Sequence, residues 1–328
     1  MSNATVSRLG LVDNTGTDFD ALFLKVFSGE VLSAFTRNNI FNEQLHSVRT
    51  ITSGKSAQFP VLGTATASFH TPGNLLTGGN QIRHGERVIS IDDLLIADVF
   101  VSRLEELKNH YDIRAQYADE LGKALAKTYD ENVAKMIAQA SRASSTLTGI
   151  AGGLTLTLAS GNTASSDVTG DEIAAAIYDI AQTFDERDIP PTDRFCVLPP
   201  AEYYKLAESA TRTVNVDFNP GGGNGSFASG NVQQVAGIPI MKSNNVPQSN
   251  RSAASGENNA YNGDDSKTIG LVFHKSAVGT VKLMDMTTEI TGNDYATMYQ
   301  GTLMVAKYAL GHGILRPECA ATIKLSAS

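Results

Sequence analysis

Residues 56–69 read Ser-Ala-Gln-Phe-Pro-Val-Leu-Gly-Thr-Ala-Thr-Ala-Ser-Phe, and their side chains alternate. Ala57, Phe59, Val61, Ala65, Ala67 and Phe69 fall on one side, and Ser56, Gln58, Thr64, Thr66 and Ser68 on the other. A period of two predicts a strand. Thr71-Pro72-Gly73-Asn74 and then Thr77-Gly78-Gly79-Asn80 supply turn chemistry, and Arg87-Val88-Ile89-Ser90-Ile91 reads as the returning strand. At about twelve residues per arm and about 3.3 Å per residue, the hairpin would reach roughly 40 Å. A lone two-stranded ribbon of that length is marginal in water, so this one is expected to lie on an adjacent subunit. Phe59 and Phe69 are its expected apolar anchors and Pro72-Gly73 its tip, with Arg83 and Arg87 reaching acids across the interface.

On the N-terminal side, Thr17 and Asp20 form a capping-box-like start to an amphipathic helix carrying Phe19, Leu22, Phe23, Val26, Phe27, Val31 and Phe35. Gly29 interrupts it and allows two short helices. That face must be covered, and the sequence leaves its own core and another chain equally open. On the C-terminal side, after Ser102 and Glu105, the longest helical signal runs from about Asp112 to Arg142, with Ile113, Tyr117, Leu121, Leu125, Tyr129, Val133 and Ile137 near one face. A helix this long acts as a spine; Gly122 and the many alanines weaken a coiled-coil reading.

A charge-free stretch with Leu154, Leu156 and Leu158 alternating follows, predicting a small hairpin or loop. Thr169-Gly170-Asp171-Glu172 caps a helix with Ile173, Ile177, Ile180 and Phe184 inward. A strand around Phe195 to Leu198 and a Pro-started helix, Pro200 to Glu208, complete a second α/β unit. The glycine-rich loop 219–230 and the polar loop 248–266 are expected to be mobile, flanking a strand pair from Val235 to Val246. From Thr268 the pattern predicts strands at Ile269 to His274, Val278 to Met284 and Met304 to Leu310.

Composition excludes several functions. The 328 residues are only 18% charged, against roughly 25% for an ordinary soluble domain, which fits heavy burial between subunits. The net charge is −8 without a cluster of Lys or Arg, so the phosphate-neutralising patch of a nucleic-acid binder is missing. No run is apolar enough to cross a membrane and no signal-peptide core precedes residue 20, so a chain made and kept in the cytoplasm is expected. Cys196 and Cys319 lack zinc-type spacing and read as buried thiols.

Catalytic motifs fail on inspection. Gly54-Lys55-Ser56 resembles the end of a P-loop, but Arg49 stands where the first glycine belongs and Gln58-Phe59-Pro60 follows where a helix is needed. The six histidines are scattered, and the glycines at 221–225 lack the strand of a dinucleotide fingerprint. The adjacent acids Glu105-Glu106, Asp92-Asp93 and Asp264-Asp265 read as solvated faces. No catalytic residue, cofactor or metal site is expected.

Five strings resemble one family. They are Ala21-Leu-Phe-Leu-Lys-Val-Phe27 with Phe35, Ser53-Gly-Lys-Ser-Ala-Gln-Phe-Pro-Val-Leu-Gly63, Asn109-His-Tyr-Asp112, His274-Lys-Ser-Ala-Val-Gly-Thr-Val-Lys-Leu283 and Lys307-Tyr-Ala-Leu-Gly-His-Gly-Ile-Leu-Arg-Pro-Glu318. In register over nearly the whole chain, they resemble the major capsid proteins of short-tailed, T-seven-like phages; Ala236-Gly-Ile-Pro-Ile-Met-Lys-Ser-Asn-Asn-Val-Pro247 resembles tailed-phage capsid proteins more widely. The resemblance implies an α+β fold of the Hong Kong 97 type. Its N-terminal arm would be 1–53, its extended-loop hairpin 54–91, its peripheral domain 92–166 with 271–328, including the spine helix at about 112–142, and its axial domain 167–270. It further implies no enzymatic activity and a virion location, with assembly in the host cytoplasm. The implied product is an icosahedral shell of hexamers and pentamers around double-stranded DNA, with a scaffolding protein during assembly, a portal at one vertex, no sequence-specific DNA binding and no membrane. Phe19, Phe23 and Phe27 would then face the shell interior, meeting the scaffold or a neighbour. Some proteins of this fold join subunits through a Lys–Asn isopeptide bond, but no motif here carries that over. An encapsulin-type shell and, further off, a nucleotide-binding enzyme are the competing classes.

Overall fold

The computed structural model describes residues 30–36, 39–65, 67, 69–75, 82–102, 104, 114–145, 147, 149–159, 164–208, 225–226, 231–232, 234–252, 261–291 and 297–326. After a helical stretch over 30–36 come β1 (Ser47–Thr50), β2 (Ser56–Leu62), β3 (His84–Ser90), β4 (Leu95–Ser102), α1 (Arg114–Ala140) and β5 (Leu154–Thr157). Then follow α2 (Gly170–Glu186), β6 (Arg194–Leu198), α3 (Pro200–Glu208), β7 (Gly225–Ser226), β8 (Asn231–Val232), β9 (Gln234–Val235) and β10 (Ile238–Lys242). The chain ends with β11 (Thr268–His274), β12 (Val278–Ile290), β13 (Gly301–Ile314) and β14 (Ala320–Lys324). The expected helix at Phe19, Phe23 and Phe27 lies outside the described residues. The chain divides into two compact units, and the division passes through α1, β12 and β13.

The first unit holds residues 1–40, 93–129 and 284–310. Its β4 pairs antiparallel with β13, from Gly301↔Ser102 to Tyr308↔Leu95. Period-two burial sends Met304, Ala306 and Tyr308 inward. There Phe35, Tyr129 and Tyr308 meet one another edge-on, with ring centroids 5.9–6.5 Å apart, the arrangement the ring quadrupoles favour. Gly122 has a specific task. A Cβ there would fall 2.7 Å from the Ala34 Cβ and the Val31 carbonyl, so its bare backbone lets the 30–36 helix cross α1 at close range.

The second unit holds residues 41–92, 130–283 and 311–328, and is built on a mixed sheet of order β5-β14-β11-β6-β10-β9. β11 reads Thr-Ile-Gly-Leu-Val-Phe-His and is buried at six of seven positions, as a central strand covered on both faces must be. Thr169 caps α2: its N–H donates to Glu172 Oε2 at 2.8 Å and its Oγ1 accepts from the Glu172 N–H at 3.4 Å. Ile173, Ile177, Ile180 and Phe184 of α2 are fully buried. β9 and β10 are joined at Ala236-Gly237, both with positive φ (51° and 75°), as a two-residue hairpin turn of the primed kind requires. Cys196 and Cys319 are buried free thiols, and burial pushes the Cys196 thiol up to about 12.

Two expectations, the length of the hairpin strands and the mobility of loop 248–266, are corrected. The strand expected over 56–69 pairs only from Ser56↔Ser90 to Leu62↔His84. Beyond it the first arm reads Gly63-Thr64-Ala65, small residues that give Arg83 and Ile82 of the opposite arm little to pack against across a ladder with two open edges. One six-stranded sheet holds strands from both sides of 166/167 and 270/271, since β5 pairs parallel with β14 and β14 pairs antiparallel with β11. The described parts of the loop expected to be mobile, 248–252 and 261–266, are fastened around buried Asp265 and Tyr261.

Candidate functional site

The hairpin leaves the second unit from a seat of small residues. Ala57 and Ile89, one on each arm, form an apolar cluster with Val281 and Leu315, and Ile51, Phe59 and Ile91 pack against it. Three glycines make the seat. A Cβ on Gly313 would meet Ile89 at 2.7 Å, one on Gly279 would meet Leu315 at 2.7 Å, and one on Gly311 would lie 2.0 Å from the Ser90 carbonyl oxygen. Arg49, projecting from β1, places its guanidinium carbon 5.7 Å from the Phe59 ring centroid and donates from Nη1 to the Gln58 carbonyl at 2.7 Å. Phe59, expected as an anchor on a neighbour, is thus half-buried on its own chain, because the same period-two face that carries it lies over β12. Arg87, directly opposite Phe59 in the ladder, is half-buried too.

The seat also explains Gly54-Lys55-Ser56. Gly54 takes φ +115°, the Lys55 carbonyl accepts from the Ile91 N–H at 2.9 Å, and Ser56 opens β2. A strand follows where a phosphate-binding loop needs a helix N-terminus.

Outward from Leu62 the hairpin holds one further rung, Gly63 N–H to Arg83 carbonyl at 2.8 Å. At the far end the Asn74 N–H donates to the Thr71 carbonyl at 3.2 Å around Pro72 and Gly73, whose φ of +94° is what the third position of a type II turn demands. Around this turn the apolar side chains face water: Phe69 is as exposed as in an open chain (108%) and Leu75 is 87% exposed; nearer the base, Leu62, Ile82 and Val88 are exposed as well. Arg83 is exposed beside them. Of the six expected contact residues, then, Phe59 and Arg87 lie at the seat, while Phe69, Pro72, Gly73 and Arg83 lie on the outer part. A cleft of about 290 Å³ runs along the hairpin base between Phe59–Leu62 and Ser276, Leu315 and Arg316.

A second apolar surface lies on the first unit, on the face of the β4–β13–β12 sheet opposite the Tyr308 core. Ile96 and Phe100 are about half exposed there, with Asp98 between them, and the Lys307 ammonium pairs with Glu289 at 2.6 Å. Asp285 is exposed on the same strand face as Glu289.

Sequence reasoning missed the buried polar groups. His46 and His312, far apart in sequence, are 1% and 3% exposed, and burial lowers them to about 4 and about 3. Among the described residues no group of three or more His, Cys, Asp or Glu side chains could hold a metal, and no helix is long and apolar enough to cross a membrane.

A mixed α+β subunit that sends a long, apolar-tipped hairpin away from its own sheet has the form of a shell-building subunit, and the comparisons name its family. The family model described as "Gp10A-like: Major capsid protein" matches residues 58–324. The chain is 36% identical over 333 residues to the major capsid protein of Escherichia phage T7, covering 92% of this chain and 91% of that protein. The capsid structure of the cyanophage P-SCSP1u is 50% identical, with a TM-score of 0.80 and complete coverage of both chains. The mature capsid of bacteriophage PhiM1, at 22% identity and a TM-score of 0.73 over 89% of this chain and 88% of that one, shares the fold. This chain belongs to the Gp10A-like major capsid protein family, with the Hong Kong 97-type α+β fold. Its role is structural and non-enzymatic, and its place is the capsid of the phage virion.

Proposed function

We propose that this chain forms the hexamers and pentamers of an icosahedral shell enclosing phage double-stranded DNA, and that the outer hairpin is the device joining one subunit to the next. The observation that carries this reading is the hairpin's division: its base is buried on its own chain, while Phe69 and Leu75 near its tip stand in water. Burying a Phe or Leu side chain contributes about 1.5–3 kcal/mol, so an exposed tip of this kind is best explained by a neighbour that covers it. The charges agree with such a contact. Arg83 belongs to the outer hairpin, and on the sheet face of the first unit Asp98 stands between Ile96 and Phe100, with Asp285 two strands away on β12, carboxylates that a second copy would present. Exposed ion pairs contribute up to about 1 kcal/mol each, and a shell repeats them at every subunit. Assembly in the host cytoplasm with a scaffolding protein, and a portal at one vertex, belong to the same reading, as does an interior position for Phe19, Phe23 and Phe27.

The double variant Phe69→Ser with Arg83→Glu, both on the exposed outer hairpin, tests it. Subunits should fold, as circular dichroism would show, but fail to form shells under conditions in which the wild type does. Hydrogen exchange should find residues 63–83 unprotected in free subunits and protected in shells. Wild-type shells from the double variant, or equal protection in both states, would overturn the role given to the hairpin.

A further inference from the structure

The segment 41–50, which opens the second unit, carries the buried imidazole of His46, and β12, on which it lies, holds that of His312 through Thr280. Phe41 is fully buried, stacks on Phe273 with ring centroids 6.0 Å apart, and donates its N–H to Asp130 Oδ1 at 3.1 Å. β1 then pairs parallel with β12 from Ser47↔Gly279 to Thr50↔Lys282, as the edge strand of its sheet. His46 sits between these two attachments. On the β12 side, Thr280 Oγ1 lies 2.8 Å from His312 Nδ1, and the His312 ring lies 6.2 Å from that of Tyr261, whose hydroxyl donates to Asp92.

The charges around the pair disfavour protonation. His46 is held neutral by burial and by the ammonium groups of Lys282 and Lys275, against a hydrogen bond to the Asn42 backbone that favours the proton, and a charge on His46 opposes one on His312. Glu43 is the acid that favours a proton on His46, and it is ion-paired with Lys282; Asp92 is engaged by Tyr261. Opening this seam brings both rings into water and lets each take up a proton near its ordinary value of about 6.5. The edge position matters as much as the histidines. A four-residue edge strand can leave β12 while the β12–β13–β4 ladder and the six-stranded sheet keep their own hydrogen bonds.

We propose that segment 41–50 is an acid-opened latch: proton uptake by the buried His46–His312 pair detaches β1 from β12, while the six-stranded sheet stays folded. The sign follows from linkage. Both groups sit below their ordinary values in the closed state, so opening binds protons and is favoured as pH falls below about 6.5, levelling off near the closed-state values. Two imidazoles together raise the opening constant about 10³-fold between pH 6.5 and 4.5.

Amide-exchange protection factors, corrected for the intrinsic effect of pH, test the latch on the purified full-length chain. Protection at residues 43–50 should fall by about that factor over this interval, while residues 194–198 and 269–273 keep theirs. In the double variant His46→Gln with His312→Asn the fall should disappear. Simultaneous loss of protection in all three segments, or none at 43–50, would overturn the proposal from the wild-type data alone, whether or not the variant folds. An unchanged pH profile in a folded double variant would overturn it as well.

Discussion

Replacing Asp265 with alanine is expected to destabilise the free subunit by about 3–5 kcal/mol, the usual effect of removing one member of a buried ionic cluster. The carboxylate is almost fully buried and holds two arginines, with Oδ1 2.7 Å from Arg142 Nη2 and Oδ2 2.7 Å from Arg251 Nη2. Each guanidinium is also committed to backbone, Arg142 to the Asp264 carbonyl at 2.6 Å and Arg251 to the Tyr261 carbonyl at 2.9 Å. Alanine would leave two like charges facing each other with little water, and the folded parts of loop 248–266 would lose the group they wrap around. Asp265→Asn, which keeps the shape and one acceptor, should fall between the two. The neighbouring Asp264 is exposed, so Asp264→Ala should have little effect on the fold. Urea titrations of the three variants check this. A loss below about 1 kcal/mol for Asp265→Ala would contradict the cluster's role.

Gly311→Ala is the second large effect. The added Cβ would lie 2.0 Å from the Ser90 carbonyl oxygen and 2.9 Å from the Ile91 Cα, and both are backbone atoms at the point where the hairpin returns to the sheet. Neither can rotate away, so β13 or the hairpin base must shift. Overpacking of this kind usually costs about 1–3 kcal/mol, and rigid backbone on both sides places this case at the upper end or above. Gly73→Ala at the tip is the contrast, since nothing lies within 4 Å of its added Cβ and only the positive φ opposes it. Thermal unfolding of the two variants should separate by several degrees. Equal melting temperatures would show that the seat is not tightly packed.

What could be read from the sequence was whatever rests on local chemistry. Thr169 and Glu172 cap a helix from three residues apart, Pro200 begins one, and the alternation of Ala57, Phe59 and Val61 comes from the pleat itself. The family was legible because its strings lie in order along the chain. Long-range partners were not. Asp265 looked like half of a solvated acid pair, since nothing nearby in sequence announces Arg142; the partner arrives from the end of α1. His46 and His312 looked scattered for the same reason, and β5 and β14 gave no sign that they complete one sheet. The hairpin was overread because alternation of Thr and Ala continues past Leu62, whereas pairing also needs a partner arm able to hold it.

The central claim is that this chain closes into a shell by passing its hairpin to a neighbour. Cryo-electron microscopy of the particles it forms tests this most directly. Closed shells of sixfold and fivefold capsomers, with density for residues 63–83 lying against an adjacent subunit, are the predicted result. Monomers or small discrete oligomers under assembly conditions, or shells in which that segment folds back on its own subunit, would contradict it.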